Sequence, residues 1–509
     1  MRRRLVPEIL LILAIALIVA VTVRHRGPAP PPVPHGLAHE AVLGPLRPLS
    51  PGLLGINGEA IIGTTVWSNP RFLSAVAALH PQAIRVFGGT PANFWNWRTG
   101  TYVRSPRVPS GLAALRDHIH VTLADWARLV RTVGAVPVFD LNMFTSNLRS
   151  QLAMLHAARR LGMPISHVEL GNELYLPPYA VRFHSGAQYG RASTRWIAGL
   201  KRAFPGVLVA ADAYPGHDTN TVAVNRREHR WNLELLRTVR GESALSLHAY
   251  FASGLGPQAS LASPTAAEQL LRAPARRWAA LARLIGRLPK RLEMWVTEWN
   301  LFDTVARVHG SWAQGLADAD FGLDLLSAPR VTQADYETLV DSAPFGAIFG
   351  STVGLQLAIG GGGGPLTFRA VLAHAPVTPL FGLATGGVAM QALLRALAGG
   401  NGLRTISFRA GRGGEQLGRL RLRAAAPPVH GIEVAGKSGF GAVIVNLSRK
   451  PFLISVPQLL RRLPYTERSA SPITLVAGAA TLRNQTGITT AAFDLQPFSL
   501  LVIGSAPPG

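Results

Sequence analysis

The chain is predicted to be an α/β protein: a (β/α)8 TIM barrel, then a C-terminal antiparallel β-sandwich, behind an N-terminal transmembrane anchor. Three observations predict this. From about Leu53 to Leu397, short apolar runs alternate with amphipathic stretches, the pattern of a parallel sheet with helical crossovers. After Gly399-Gly400 the helices stop and short strands follow one another between turn residues, as in a sandwich. At the start, an arginine-rich head precedes an apolar run, as in an export signal.

The repeated units can be read in order. Ala83–Phe87 is a strand that ends in Gly88-Gly89-Thr90, and 123–133 is helical, with Trp126, Leu129, Val130 and Val133 on one face. Strands at 136–141, 167–171, 207–211, 244–248 and 292–297 alternate with helices near 152–161, 192–204, 233–239 and 275–284. A further helix or strand begins at 345–349, and 353–358 is expected to be the last barrel strand, followed by a flexible Gly360–Gly364 loop. About eight units over roughly 340 residues close a barrel. The expected sandwich strands are 405–408, 418–422, 431–434, 440–445, 452–456 and 498–503, with a short helix at 457–462. The resulting domains are a signal anchor (1–26), a proline-rich linker (27–35), a strand joining the sandwich (36–50), the barrel (51–398) and the sandwich (399–509).

Composition narrows the chemistry. With 48% hydrophobic and 15% charged residues, the chain can bury a core and is not disordered. The absence of cysteine removes disulfides, thiolate nucleophiles and Cys-ligated metals. A net charge of +24 attracts polyanions: anionic lipid, acidic polysaccharide or nucleic acid. The last is not expected, because no basic run is interleaved with aromatics. An acidic environment or a GC-rich genome explains the arginine excess equally well. No cofactor is expected, since the glycine run lacks the lysine of a phosphate-binding loop. No metal is expected either, since the histidines show no His-x-x-x-His pairing in an acidic helix.

The apolar run 9–23 is short for a bilayer span of ~20 residues. It is read as an uncleaved anchor, with a cleaved signal peptide as the alternative. Either way the rest of the chain is expected outside the cytoplasm, at the cell membrane or secreted. The prolines of 27–34 form a stiff spacer.

Two carboxylates stand where barrel chemistry is done, at the C-terminal ends of strands. Glu173 follows the strand 167–171 in Gly171-Asn172-Glu173, and Glu298 ends the strand 292–297. About three βα units separate them, which places them across one barrel mouth. Paired carboxylates flanking a sugar carry out glycoside hydrolysis: one protonates the leaving oxygen, and the other attacks the anomeric carbon in retaining enzymes. Glu169 and Glu293 sit earlier in the same strands and are expected to be structural. Asp140 and Asn142 end the third strand and are candidates to line the cleft. Phe94, Trp95 and Trp97 are either a sugar-stacking platform or loop packing.

This Asn-Glu pair, with a lone Glu ending a strand three units later, resembles the retaining glycoside hydrolases of clan A. The likeness covers most of residues 50–505. It is greatest to the heparanase/β-glucuronidase branch, on Val168-Glu-Leu-Gly-Asn-Glu173 and Ile84-Arg-Val-Phe-Gly-Gly-Thr90. The β-xylosidase and α-L-arabinofuranosidase branches come next. The resemblance implies Glu173 as acid/base and Glu298 as nucleophile. Arg85 would hold Glu298 ionised, Asn172 would bond the sugar 2-hydroxyl, and Tyr250 would hydrogen-bond the nucleophile. His248, Trp95 and Asn142 complete the expected substrate contacts. A raised Glu173 pKa is expected for an acid. Departures include Leu174 after Asn172-Glu173, where proline is common in the family. The expected function is retaining hydrolysis of an extracytoplasmic glycan, with the basic charge making a uronic-acid-containing one attractive. The alternatives are a transglycosidase or a non-catalytic carbohydrate-binding envelope protein on a degenerate barrel.

Overall fold

The computed structural model describes residues 39–504 apart from 60–66, 217–225, 304–307, 342–344, 351–379, 410–427, 437–438, 456–463, 477–479 and 486–491. Eight parallel strands form a closed barrel: β1 (Leu54–Gly58), β2 (Ala83–Val86), β3 (Val136–Asp140), β4 (His167–Glu169), β5 (Leu208–Asp212), β6 (Ala244–His248), β7 (Glu293–Trp299) and β8 (Val331–Tyr336). Closure occurs where Ala334 of β8 pairs with Leu54 of β1.

The barrel helices are α1 (Pro70–Leu79), α2 (Leu123–Val133), α3 (Leu148–Arg160), α4 (Gly186–Ala203), α5 (Arg226–Thr238), α6 (Ala273–Arg287), α7 (Trp312–Ser327) and α8 (Thr385–Leu397). Local chemistry sets their ends. Thr122 and Asp125 form a reciprocal capping box at the start of α2, and Gly134, at φ 66°, terminates it in the left-handed region. Asn147, Ser185 and Ser311 cap α3, α4 and α7 by accepting a backbone N–H of the first turn. The inner faces of these helices bury Trp126, Leu129, Met154, Leu155, Ile197 and Leu235 against the strands. α7 is buried on nearly every side, because the second domain covers the face turned away from the barrel.

That second domain is a ten-stranded sheet. His39–Leu43 lies antiparallel to Gly400–Arg409 and parallel to Phe452–Ser455, tying the start of the described chain into it. The sheet folds over a core in which Ile454 and Phe493 meet Ile444, Leu501 and Ile503, which is sandwich packing.

Two expectations change. The last barrel strand is Val331–Tyr336, not 353–358, which lies outside the described residues with the Gly360–Gly364 loop. The polar Thr332, Gln333 and Asp335 hid the real strand; inside the barrel Gln333 donates to Asp335 at 2.6 Å. The 345–349 region contributes only Ile348–Phe349, paired with Val340–Asp341. Among the described residues no helix is long and apolar enough to cross a membrane. The expected anchor, the proline-rich linker, the strand 418–422 and the helix 457–462 fall outside the described residues.

Candidate active site

The mouth of the barrel gathers side chains from the ends of β2, β3, β4, β6 and β7 around one arginine. Arg85 of β2 is fully buried. Its Nε donates to Glu169 Oε2 at 2.6 Å, and Nη1 to Glu298 Oε1 at 2.9 Å. Its Nη2 donates to Asp140 Oδ2 and Asn172 Oδ1, both at 2.9 Å. This planar fork thereby fixes four groups from three other strands at once. Glu169 is thus an orienting residue within the barrel wall, held further by Thr297 Oγ1 at 2.9 Å. Glu293 sits lower and accepts from Thr332.

Glu298 receives a second donor, the Tyr250 hydroxyl, at 2.7 Å from Oε2. A bulge makes room for the neighbouring histidine. Leu247 pairs with Val296, but His248 pairs with Glu298, skipping Thr297. His248 Nδ1 consequently stands 3.1 Å from Glu173 Oε1 and 3.2 Å from Glu298 Oε2, with Nε2 3.9 Å from Glu169. One oxygen each of Glu173 and Glu298 lie within 4.8 Å of one another and of His248.

Glu173 itself sits at φ 51°, the left-handed region that costs a β-carbon residue of order 1–2 kcal/mol. That strain turns its carboxyl out of β4 toward the axis. Gly171 before it, at φ 86°, leaves space that Leu174 fills; a Cβ there would stand 2.5 Å from Leu174 Cδ1. The Tyr175 hydroxyl donates to Glu173 Oε1 at 3.0 Å.

Charge balance at the mouth is tight. Burial pushes the Asp140 carboxyl well above its usual range, and Glu169 and Glu298 add to this against Arg85. Glu169 is also buried, but Arg85 and His248 outweigh that and hold it at about 2. Burial opposes charge on His248, yet Glu298, Glu169 and Glu173 together raise it well above 6.5. The raised pKa expected for Glu173 is not what the site produces. Burial favours it, but the bond and charge of His248, with Tyr175, move it below 4.5. At neutral pH the acidic proton of this cluster therefore rests on His248, within hydrogen-bond reach of Glu173.

The same three groups present donor atoms at a spacing a divalent cation could span. Metal ligation takes a neutral imidazole, whereas the surrounding carboxylates favour the protonated one. An imidazole between two carboxylates also supports proton transfer at this spot.

The other expected contacts separate into two groups. Asn172 is buried, and among the described residues its Nδ2 has no hydrogen-bond partner, so this donor is left for a ligand. Trp95 is not a stacking platform: it is 3% exposed and stacks on Phe87 at 3.8 Å. Phe94 packs edge-on to Phe144, and Arg98 covers Trp97 at 4.3 Å. Asn142 does not offer its side chain to the cleft. Nδ2 donates to the Trp95 carbonyl and Thr145, and Oδ1 accepts from the Thr145 N–H, so it ties two loops together.

Sequence reasoning missed a second acidic pair. Glu59 follows β1 and Glu337 follows β8, and the two carboxyls share a hydrogen bond. Burial, partly offset by that bond, raises Glu59 to about 8, with Glu298 and Asp341 adding to the rise. Burial also lifts Glu337 well above its usual range, with Glu59 and Glu298 adding to the rise. The Asn57 amide donates to Glu337. The rule that found Glu173 and Glu298, a carboxylate just past a strand, also finds these two once β1 and β8 are placed.

No family model and no curated protein matches the chain. Solved structures do, and the likeness is one of fold, a barrel with its companion sheet. The α-L-arabinofuranosidase of Thermotoga maritima aligns over 92% of this chain and 99% of its own, with TM-score 0.63 and 16% identity. The GH51 arabinofuranosidase of Xanthomonas axonopodis pv. citri aligns over the same shares, with TM-score 0.63 and 15% identity. A 4-O-α-L-rhamnosyl-β-D-glucuronidase of Fusarium oxysporum covers 92% of this chain and 98% of its own, with TM-score 0.52 and 12% identity. The likeness in fold is thus greater to these arabinofuranosidases than to that glucuronidase, the reverse of the order the motifs suggested.

Proposed function

We propose that the protein is a retaining glycoside hydrolase acting by double displacement on an uncharged glycoside. The observation that carries this is the approach of Glu173 and Glu298, whose oxygens come within 4.8 Å. Retaining enzymes hold their carboxyls ~5–5.5 Å apart, whereas inverting enzymes need ~6.5–9.5 Å to admit a water. Glu298 attacks the anomeric carbon, positioned by Arg85 and Tyr250. Glu173 protonates the leaving oxygen with the proton drawn from His248 Nδ1, 3.1 Å away. Glu173 then takes a proton from the water that releases the sugar.

The substrate assignment rests on local rather than net charge. Despite the +24 of the chain, the carboxyls of Glu59 and Glu337 lie close enough to interact with Glu298, and Arg85 is already bonded to three carboxylates. The cations of the site, Arg85 and His248, are thus already engaged by carboxylates, so an uncharged sugar is favoured over the uronic-acid-containing glycan that net charge alone suggests. An α-L-arabinofuranoside is the first to test, given the arabinofuranosidase folds. Action outside the cytoplasm rests on the arginine-headed apolar segment at 2–23. Proton NMR of the first-formed product from a cleaved aryl glycoside tests the mechanism. Retained anomeric configuration is expected; an inverted first product contradicts it.

A further inference from the structure

Glu173 keeps a left-handed backbone, at φ 51°, and such a conformation persists only where its surroundings over-determine it. Much of that hold comes from side chains. Upstream, the Tyr189 hydroxyl donates to the Leu170 carbonyl at 2.8 Å. Asn93 Oδ1 accepts from the Asn172 N–H at 3.3 Å, and its Nδ2 donates to the Asn172 carbonyl at 2.7 Å. Downstream, the Leu174 N–H donates to Asp212 Oδ2 at 2.5 Å. The Leu176 N–H closes a turn onto the Glu173 carbonyl at 2.8 Å.

The carbonyls that follow converge on one residue, Arg227, in the first turn of α5. Its Nη2 donates to the Leu174 carbonyl at 2.6 Å and to that of Phe183 at 2.7 Å. Nη1 donates to the carbonyls of Tyr175 and Leu176, the latter at 3.0 Å. Nε adds a longer bond to Phe183, at 3.3 Å. Both ends of the segment 174–183 are thus gathered on one planar fork, which the point charge of a lysine could not span. The guanidinium lies 4.7 Å over the ring of Trp231, which is fully buried and donates through Nε1 to the Asp212 carbonyl at 3.0 Å. Tyr175 packs edge-on to the same ring, and its hydroxyl donates to Glu173 Oε1 at 3.0 Å.

We propose, on the reading of Glu173 as the acid/base, that Arg227 is a positioning residue of the reaction. Its bonds go to backbone carbonyls and not to the side chains around Arg85. It acts by clamping the loop after β4, so that Tyr175 stays on Glu173 and Glu173 stays in reach of the leaving oxygen. A residue needed only for folding slows every substrate alike. One that acts through the acid slows the substrates that need an acid, and a misplacement of about 1 Å is enough to cost ~10²-fold.

Two measurements on the full chain test this, with melting curves to confirm that R227A and R227K are folded. The first compares them with wild type on aryl glycosides, arabinofuranosides first, with leaving groups from dinitrophenol to phenol. For R227A, kcat/KM is expected to fall ~10–100-fold on the phenyl glycoside and only about threefold on the dinitrophenyl one. R227K keeps the charge without the fork and is expected to show the same pattern more weakly. An equal fall across the series, or wild-type activity on the phenyl glycoside in either variant, overturns the proposal. The second measurement, hydrogen exchange read by mass spectrometry, uses no substrate. Peptides spanning 170–183 are expected to exchange about tenfold faster or more in both variants, with those of α1 and α2 unchanged. Unchanged exchange at 170–183 overturns the clamp whether or not the protein cleaves glycosides. A wild type that cleaves no aryl glycoside, with 170–183 loosened in the variants, counts against the proposed hydrolysis and supports the clamp.

Discussion

His248 Nδ1 stands 3.1 Å from the Glu173 carboxylate and 3.2 Å from that of Glu298, so one imidazole joins the two acids of the site. Its position depends on the bulge that pairs His248 with Glu298 in place of Thr297. Replacing His248 by Ala removes the resting proton donor to Glu173. We expect kcat to fall ~10²-fold on substrates with poor leaving groups, and far less on dinitrophenyl glycosides, whose departure needs no acid. Comparing the two substrate series checks this; an equal fall in both shows that His248 only shapes the pocket.

Tyr250 donates to Glu298 at 2.7 Å. A hydrogen bond to a charged group is worth ~1.5–3 kcal/mol, so Tyr250→Phe is expected to lower kcat/KM ~10–100-fold with the fold intact. Steady-state kinetics beside a thermal melt provides the check.

Arg85 is fully buried and bonded to Asp140, Glu169 and Glu298. Removing one partner of a buried ion pair costs ~3–5 kcal/mol, because the partners are left uncompensated. Arg85→Ala is therefore expected to lose stability of at least that order in urea titration, as well as activity. Arg85→Lys keeps the charge but not the fork, and is expected to recover stability more than kcat.

Burial raises the Asp318 carboxyl from 3.8 to about 8, against bonds from the Leu301 N–H and the Tyr336 hydroxyl. Between those values the unfolded chain releases this proton and the folded chain retains it. This acid therefore lowers stability progressively as pH rises from about 4 toward 8. Asp318→Asn removes the effect while keeping the size of the side chain. Its melting temperature should gain on wild type from pH 5 to pH 8; parallel curves would count against the argument.

The barrel was legible wherever strands were apolar and ended at a chemically distinctive residue, as at Val168–Glu173 and Met294–Glu298. It was not legible at Val331–Tyr336, because the eighth strand carries Gln333 and Asp335 into the barrel interior, where they bond each other. Losing that strand hid Glu337 and its partner Glu59. Residue type marked Arg85 and Tyr250 through resemblance, but not the geometry that makes one guanidinium serve three carboxylates. Trp95 and Asn142 were misread for a common reason: loops at a barrel mouth must also pack and satisfy their own backbone. Nor does sequence carry register shifts. The bulge at His248 moves the proton from Glu173 to the imidazole, and no local pattern announces it.

The central claim is that Glu298 is the nucleophile, and rescue of Glu298→Ala tests it most directly. Hydrolysis of an activated aryl arabinofuranoside, or of whichever aryl glycoside the wild type cleaves, should be lost in the variant. Turnover should return with added azide, yielding a glycosyl azide of inverted configuration. Full hydrolytic activity in Glu298→Ala without azide would contradict the account.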